Sequence, residues 1–200
     1  MTTRDKILAL VVLITMFYVN AAYGANNIKH VRYNHKLVKR YLNELNNYSL
    51  DQLEAMKFGY NAAARYDLSY SVAAIIMEES QAGKQLLNLT GDYGLMGINI
   101  KYYLKDLGLV NNKYNEIEVA TKLIRNDALN IHVGIDKLRY WLKKSKGSFK
   151  KAWGMYNGGY GYINYHYANR IYNRIKAIKI YERRHPYAFK DINFNSRSQE

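Results

Sequence analysis

The stretch VAAIIMEESQAG, Val72 to Gly83, places two adjacent glutamates at the end of an apolar run. An ionised carboxylate is costly to remove from water, so a pair beside Val72, Ile75 and Ile76 needs a reason. On a helical wheel with Val72 at the origin and about 100° per residue, Ile75 falls near about 300°, Ile76 near about 40° and Glu79 near about 340°. Glu79 therefore lies in the middle of the apolar stripe. Glu78 falls near about 240°, at the stripe's edge between Ser71 and Ala74, and reads as a surface residue. Burial disfavours the charged carboxylate and raises its pKa. A carboxylic acid kept protonated near neutral pH can give a proton to a leaving oxygen. The wheel alone also allows a glutamate that reaches solvent from the helix end. Of the two acids, Glu79 is the candidate for chemistry.

Working outward, helical periodicity dominates the chain. Ile28, Val31, Leu37, Val38, Tyr41, Leu42 and Leu45 recur at helical spacing. Ser49 with Gln52 resembles a capping box opening a second helix through Leu53, Met56 and Ala62–Ala64. Asp67 or Ser69 is the expected cap of a third helix, which runs to about Gln81 with Gly83 past its end. The segment 85–99 carries Gly91, Gly94 and Gly97 and reads as mostly loop. Helices are expected again over 117–124, over 127–143 with an Ile131, Ile135, Leu138 and Leu142 stripe, over 149–156, and over 166–181. The polar residues after His185 are expected to be loose. No repeat or interdomain linker interrupts the pattern, and 200 residues suit one domain with a real core. The expected class is mainly α, a single helical domain with a glycine-containing loop.

Composition narrows the setting. Arg4 and Lys6 precede an apolar run of thirteen residues, Ile7 to Val19, and Ala22 and Gly24 stand at small-residue cleavage positions. This predicts an export signal over 1–24, a domain over 25–185 and a polar tail over 186–200. The run is short for a membrane span, which takes roughly 17–25 residues, so no stable span is expected after signal removal. The chain has no cysteine, which excludes disulfides and thiol catalysis. The formal charge is +14, and removing 1–24 takes away Arg4, Asp5 and Lys6 and lowers it by only one. Such a charge attracts polyanions, among them nucleic acid, anionic lipid and cell walls. Export argues against nucleic acid, and no basic recognition helix stands out. The five histidines are scattered without metal-ligand spacing, so no metal and no cofactor is expected.

Four motifs then occur in order: AIIMEES at Ala74–Ser80, GDYGLMGIN at Gly91–Asn99, NIHVG at Asn130–Gly134 and MYNGG at Met155–Gly159. Together they resemble the soluble-type lytic transglycosylases, the SLT domain of the lysozyme-like superfamily, over roughly residues 53–178. The form of the loop, in a small chain with an export signal, looks most like specialised members of secretion or conjugation systems and phage particles. The resemblance implies a lysozyme-like helical fold that cleaves the β-1,4 bond between N-acetylmuramic acid and N-acetylglucosamine in peptidoglycan. It assigns Glu79 as general acid and then base, closing a 1,6-anhydro ring without consuming water. It implies further that Ser80 supports Glu79, that Gly94 lets backbone approach the sugar, and that Met96 lines the cleft. Asn99 steadies the loop or meets substrate. Tyr156 lies near the catalytic glutamate and Asn157 accompanies it, and Tyr167 matches the tyrosine of the closing helix.

One departure stands out: the family usually carries glutamine where this chain has Gly97. Asp92 offers a competing reading as a second carboxylate that would position water, giving a hydrolytic muramidase like the goose-type lysozymes. Its plainer role is an Asx turn before Gly94. A non-catalytic wall-binding or assembly module is the third reading, suggested by Gly97 and the basic charge. The implied location is the periplasm or cell envelope.

Overall fold

The computed structural model describes residues 31–88 and 90–189, and the folded body is followed here from Tyr33. The expected export signal, Ile28 and the residues after Phe189 lie outside the described residues. Eight α-helices and one two-stranded hairpin make up the described body. They are α1 (His35–Asn46), α2 (Leu50–Ala62), α3 (Ser69–Ser80), β1 (Asp92–Tyr93), β2 (Ile98–Asn99), α4 (Ile100–Asp106), α5 (Lys113–Arg125), α6 (Asp127–Lys144), α7 (Phe149–Gly158) and α8 (Tyr165–Arg184).

Local chemistry explains the helix starts. Ser49 and Gln52 form the full capping box, each side chain bonded to the other's backbone N–H. Asparagine does the same work elsewhere: Asn34, Asn112, Asn126 and Asn164 accept a backbone N–H at the starts of α1, α5, α6 and α8. The third helix departs from expectation. Neither Asp67 nor Ser69 caps it; Leu68 stands at the cap without a side-chain bond, and Asp67 takes a left-handed conformation that ends the short 3₁₀ turn Ala64–Tyr66. Burial rather than capping holds α3 in place. The expected run over 117–124 begins earlier, at Lys113, and α4 had no counterpart in the periodic reading because it is only one and a half to two turns long.

The helix α3 is the centre of the body. Ser71 through Met77 are all buried, together with Ser80, so the helix is enclosed on every side rather than along one stripe. Helix α2 covers one face, with Gly59 so close that a Cβ there would lie 2.2 Å from Ile76 Cδ1. Helix α8 covers another, and α7 ties in through Trp153, whose indole N–H donates to Ser71 Oγ at 3.1 Å. Phe189 is fully buried, stacked on Tyr60 with 5.4 Å between ring centroids. The loose tail expected after His185 is thus corrected as far as Phe189, because an aromatic anchor outweighs the polar residues around it.

Glu78 also corrects the sequence reading. Its side chain is only 12% exposed and accepts bonds from Arg170 Nε and Arg174 Nε, both at 2.6 Å. Arg174 continues through Nη1 to Glu44 at 3.0 Å and lies over the Tyr41 ring, 4.0 Å from its centroid. The wheel missed this because it saw one helix, whereas α8 brings two guanidiniums to the stripe's edge. Burial by itself would raise the Glu78 pKa, but Arg174 and Arg170 outweigh it and hold the group below its ordinary value. The network joins α1, α3 and α8. Replacing Glu78 by Ala would leave Arg174 buried without its main partner, and chemical denaturation should show a loss of about 3 kcal/mol. Arg170→Ala removes a cation that is 41% exposed, and should cost less than about 1 kcal/mol.

Candidate active site

The end of α3 carries Glu79 into a ring of groups from four other elements. The Tyr167 hydroxyl on α8 donates to Glu79 Oε1 at 2.6 Å. From the other side comes Gly97, between the hairpin strands, where a Cβ would sit 2.7 Å from Glu79 Oε2 and 3.0 Å from its Cδ. Gly97 has φ +59, a left-handed backbone that glycine adopts without steric cost. Lys137 on α6 and Asp92 on β1 act on Glu79 through their charges. Burial is the largest influence and raises the Glu79 pKa; the Tyr167 bond and Lys137 oppose it, Asp92 and Glu78 add to it, and the outcome is about 7. Glu79 nonetheless stays partly accessible at the surface. It is an acid poised to gain or lose a proton near neutrality.

The loop that delivers Gly97 is fixed by a buried amide that the sequence reading did not single out. Asn130 on α6 is fully buried; its Oδ1 accepts the Met96 N–H at 2.8 Å and its Nδ2 donates to Tyr93 O at 2.8 Å. Gly94 and Gly134 make room for this contact. A Cβ on Gly94 would lie 1.9 Å from Asn130 Nδ2, and one on Gly134 would lie 2.4 Å from Met96 Sδ. The signal was in the sequence: Asn130 and Gly134 are a polar and a minimal residue at i, i+4 beside the Ile131 stripe. A second clamp comes from α7, where the Tyr156 hydroxyl donates to Met96 O at 2.8 Å.

Several roles implied for individual residues change once they are placed. Ser80 is fully buried and serves the helix end, its hydroxyl donating to Ile76 O at 3.0 Å and accepting Gly83 N–H at 3.0 Å. Met96 is fully buried too, and Gly94 approaches Asn130 rather than opening toward a ligand. These residues, with Tyr156 and Tyr167, are buried and frame the site. The hydroxyl on Glu79 is that of Tyr167, while Tyr156 holds the loop. Asn157 is exposed and accepts from Asn164 Nδ2 at 2.8 Å, bracing the turn into α8. Asn99 donates to Asp92 Oδ1 at 2.8 Å, which places it in the loop scaffold.

Asp92 is committed in the same way. Its Oδ2 accepts from Asn88 at 2.8 Å and Thr90 at 2.7 Å, and its Oδ1 from Asn99. The Asx geometry expected of it belongs to Asn88, whose Oδ1 accepts the Thr90 and Asp92 N–H groups. Among the described residues no cluster of His, Asp or Glu could hold a metal ion, and no helix is long and apolar enough to cross a membrane. Two surface depressions of about 460 and 500 Å³, which share Gln52 and Lys84, do not include Glu79.

The mostly helical body, with one raised-pKa glutamate at the end of its central helix under a glycine loop, is consistent with a lysozyme-like domain. The family model for the transglycosylase SLT domain matches residues 63–179, more than half of the chain, and the chain belongs to that family. Membership implies a lytic transglycosylase whose substrate is peptidoglycan. No curated protein and no solved structure matches the chain.

Gly97→Ala should test the close approach directly. The added Cβ meets the Glu79 carboxyl in a backbone conformation that costs a non-glycine residue roughly 1 kcal/mol. Thermal melting should show only that modest loss, while turnover of peptidoglycan falls by about tenfold or more because the acid is displaced. Equal turnover by the two proteins would mean that Gly97 does not set the position of Glu79.

Proposed function

We propose that the protein cleaves the N-acetylmuramic acid–β-1,4–N-acetylglucosamine bond of peptidoglycan by lytic transglycosylation, with Glu79 as its single acid and base. The observation that carries this reading is a partly accessible carboxyl whose pKa is raised to about 7 and whose one oxygen is held by Tyr167. Protonated Glu79 gives its proton to the glycosidic oxygen as the C1–O bond breaks and the electron pair leaves with that oxygen. The Glu79 carboxylate then takes the proton of the muramic C6 hydroxyl as O6 bonds to C1. The glutamate regains its proton and no water is consumed.

One carboxylate suffices for this sequence, whereas most glycoside hydrolases need a second one as nucleophile or to activate water. That agrees with an Asp92 whose oxygens are already bonded to Asn88, Thr90 and Asn99. The charge of +14 favours a wall bearing peptide carboxylates and other anions. The segment 1–24 supports export to the periplasm or cell envelope, where such a substrate is found, and a role beside a secretion, conjugation or phage assembly fits that location.

The test is digestion of purified sacculi by the wild type and by Glu79→Gln, with mass spectrometry of the released muropeptides. The expected result is 1,6-anhydro ends from the wild type and a rate about 10²–10⁴-fold lower from the variant. Reducing ends alone would replace transglycosylation by hydrolysis. Equal release by both proteins would remove Glu79 from the mechanism, and binding without release by either would make the protein a wall-binding module.

A further inference from the structure

The face of α6 turned toward the site repeats at i, i+4, i+7 as Asn130, Gly134 and Lys137. Its first two members fix the loop, Asn130 through the Met96 N–H and Tyr93 O, and Gly134 through the Met96 side chain. Lys137 is the third. Its Nζ lies over the Tyr156 ring, 4.5 Å from the centroid, and the hydroxyl of that same ring holds Met96 O, one residue before Gly97. A cation seated on that ring is held by the same residue that clamps Met96, and the next residue, Gly97, is where a Cβ would lie 2.7 Å from Glu79 Oε2. No step of the proposed reaction has so far used this cation.

We propose that Lys137 is a positioning residue for Glu79, the fixed counter-charge of its carboxylate during the interval in which Glu79 has given up its proton. The inference rests on the reading of Glu79 as acid and base. In that interval a negative charge stands in a largely desolvated place, and a cation held by the ring of Tyr156 compensates it without moving. Mobile solvent ions could do so only by reordering around the site.

The surroundings of Lys137 agree. Burial lowers its pKa, while Glu79, Asp92 and Asp106 each favour its charged form. Around Glu79 stand Glu78 from its own helix, Asp92 from β1, Lys137 from α6 and the Tyr167 hydroxyl from α8; Tyr156 on α7 responds to Glu79 in turn. Of these, the Tyr167 hydroxyl and Lys137 are the groups that favour ionised Glu79. Tyr167 does so by a direct bond, and Lys137 by charge alone.

The experiment follows the carboxyl carbon of Glu79 by NMR during a pH titration of the whole folded protein, assigned by its disappearance in Glu79→Gln. Wild type is compared with Lys137→Met, which keeps the length and packing of the stem, and with Lys137→Arg, which keeps the charge. The expected result is a midpoint about one pH unit higher in Lys137→Met and little changed in Lys137→Arg. Coincident midpoints in all three would overturn the inference, as would an equal upward shift in both variants, which would mark the effect as packing. Should Lys137→Met not fold, Lys137→Gln carries the same comparison. Sacculus digestion by the same proteins separates the two levels of the argument. A moved midpoint with turnover that is independent of Glu79 upholds the charge pairing and refutes the proposed reaction, whereas an unmoved midpoint with Glu79-dependent turnover does the reverse.

Discussion

The folded body is organised around an unfavourable act, the withdrawal of the Glu79 carboxyl from water at the end of an almost wholly buried helix. Desolvation raises its pKa toward neutrality, and the groups admitted to its neighbourhood set how far. One hydroxyl, one cation and a glycine with no side chain are what the fold places there. Each arrives from a different element: Tyr167 from α8, Lys137 from α6 and Gly97 from the hairpin loop. Most tertiary contacts described above can be understood as holding these arrivals in register.

Two clamps do this. The first is polar and buried: Asn130 satisfies the loop at Tyr93 and Met96, and Tyr156 takes the Met96 carbonyl. A buried amide with both ends bonded to backbone specifies one loop conformation, because any other would leave it unsatisfied. The second is ionic. Glu78, Arg170, Arg174 and Glu44 join α3 to α8 and α1 within one residue of Glu79. The two glutamates of the pair are thus separated by environment. Glu78 faces two guanidiniums and stays ionised, whereas Glu79 faces a hydroxyl and one shared cation and titrates near neutrality.

The helices were largely legible because their apolar spacing and caps are local properties. The Ser49–Gln52 box and the α6 stripe needed nothing from the rest of the chain. The wheel placed Glu79 among the isoleucines, but α3 is buried on every side, so the angle alone does not separate the two acids; their neighbours do. What escaped were properties created by neighbours. Glu78 read as exposed because Arg170 and Arg174 are distant in sequence, and the full burial of Ser80 and Met96 arises from packing that no local pattern shows. Gly97, a departure from the family pattern, acquires a physical meaning only where an added Cβ would meet the Glu79 carboxyl. Lys137 carried no motif at all; its significance comes from Tyr156 beneath it.

Glu79 holds its proton in the folded state at a pH where the unfolded chain has lost it. Between an ordinary value of 4.5 and about 7 the folded protein binds one more proton, so stability must fall as pH rises through that window and level off above it. Denaturation of wild type and Glu79→Gln across pH 4 to 9 isolates this group, because glutamine occupies the same space without titrating. The variant should gain about 3 kcal/mol on the wild type between pH 4.5 and about pH 7 and no more above it. A difference that stays constant from pH 4 to 9 would mean an ordinary, solvated Glu79, and would contradict the account.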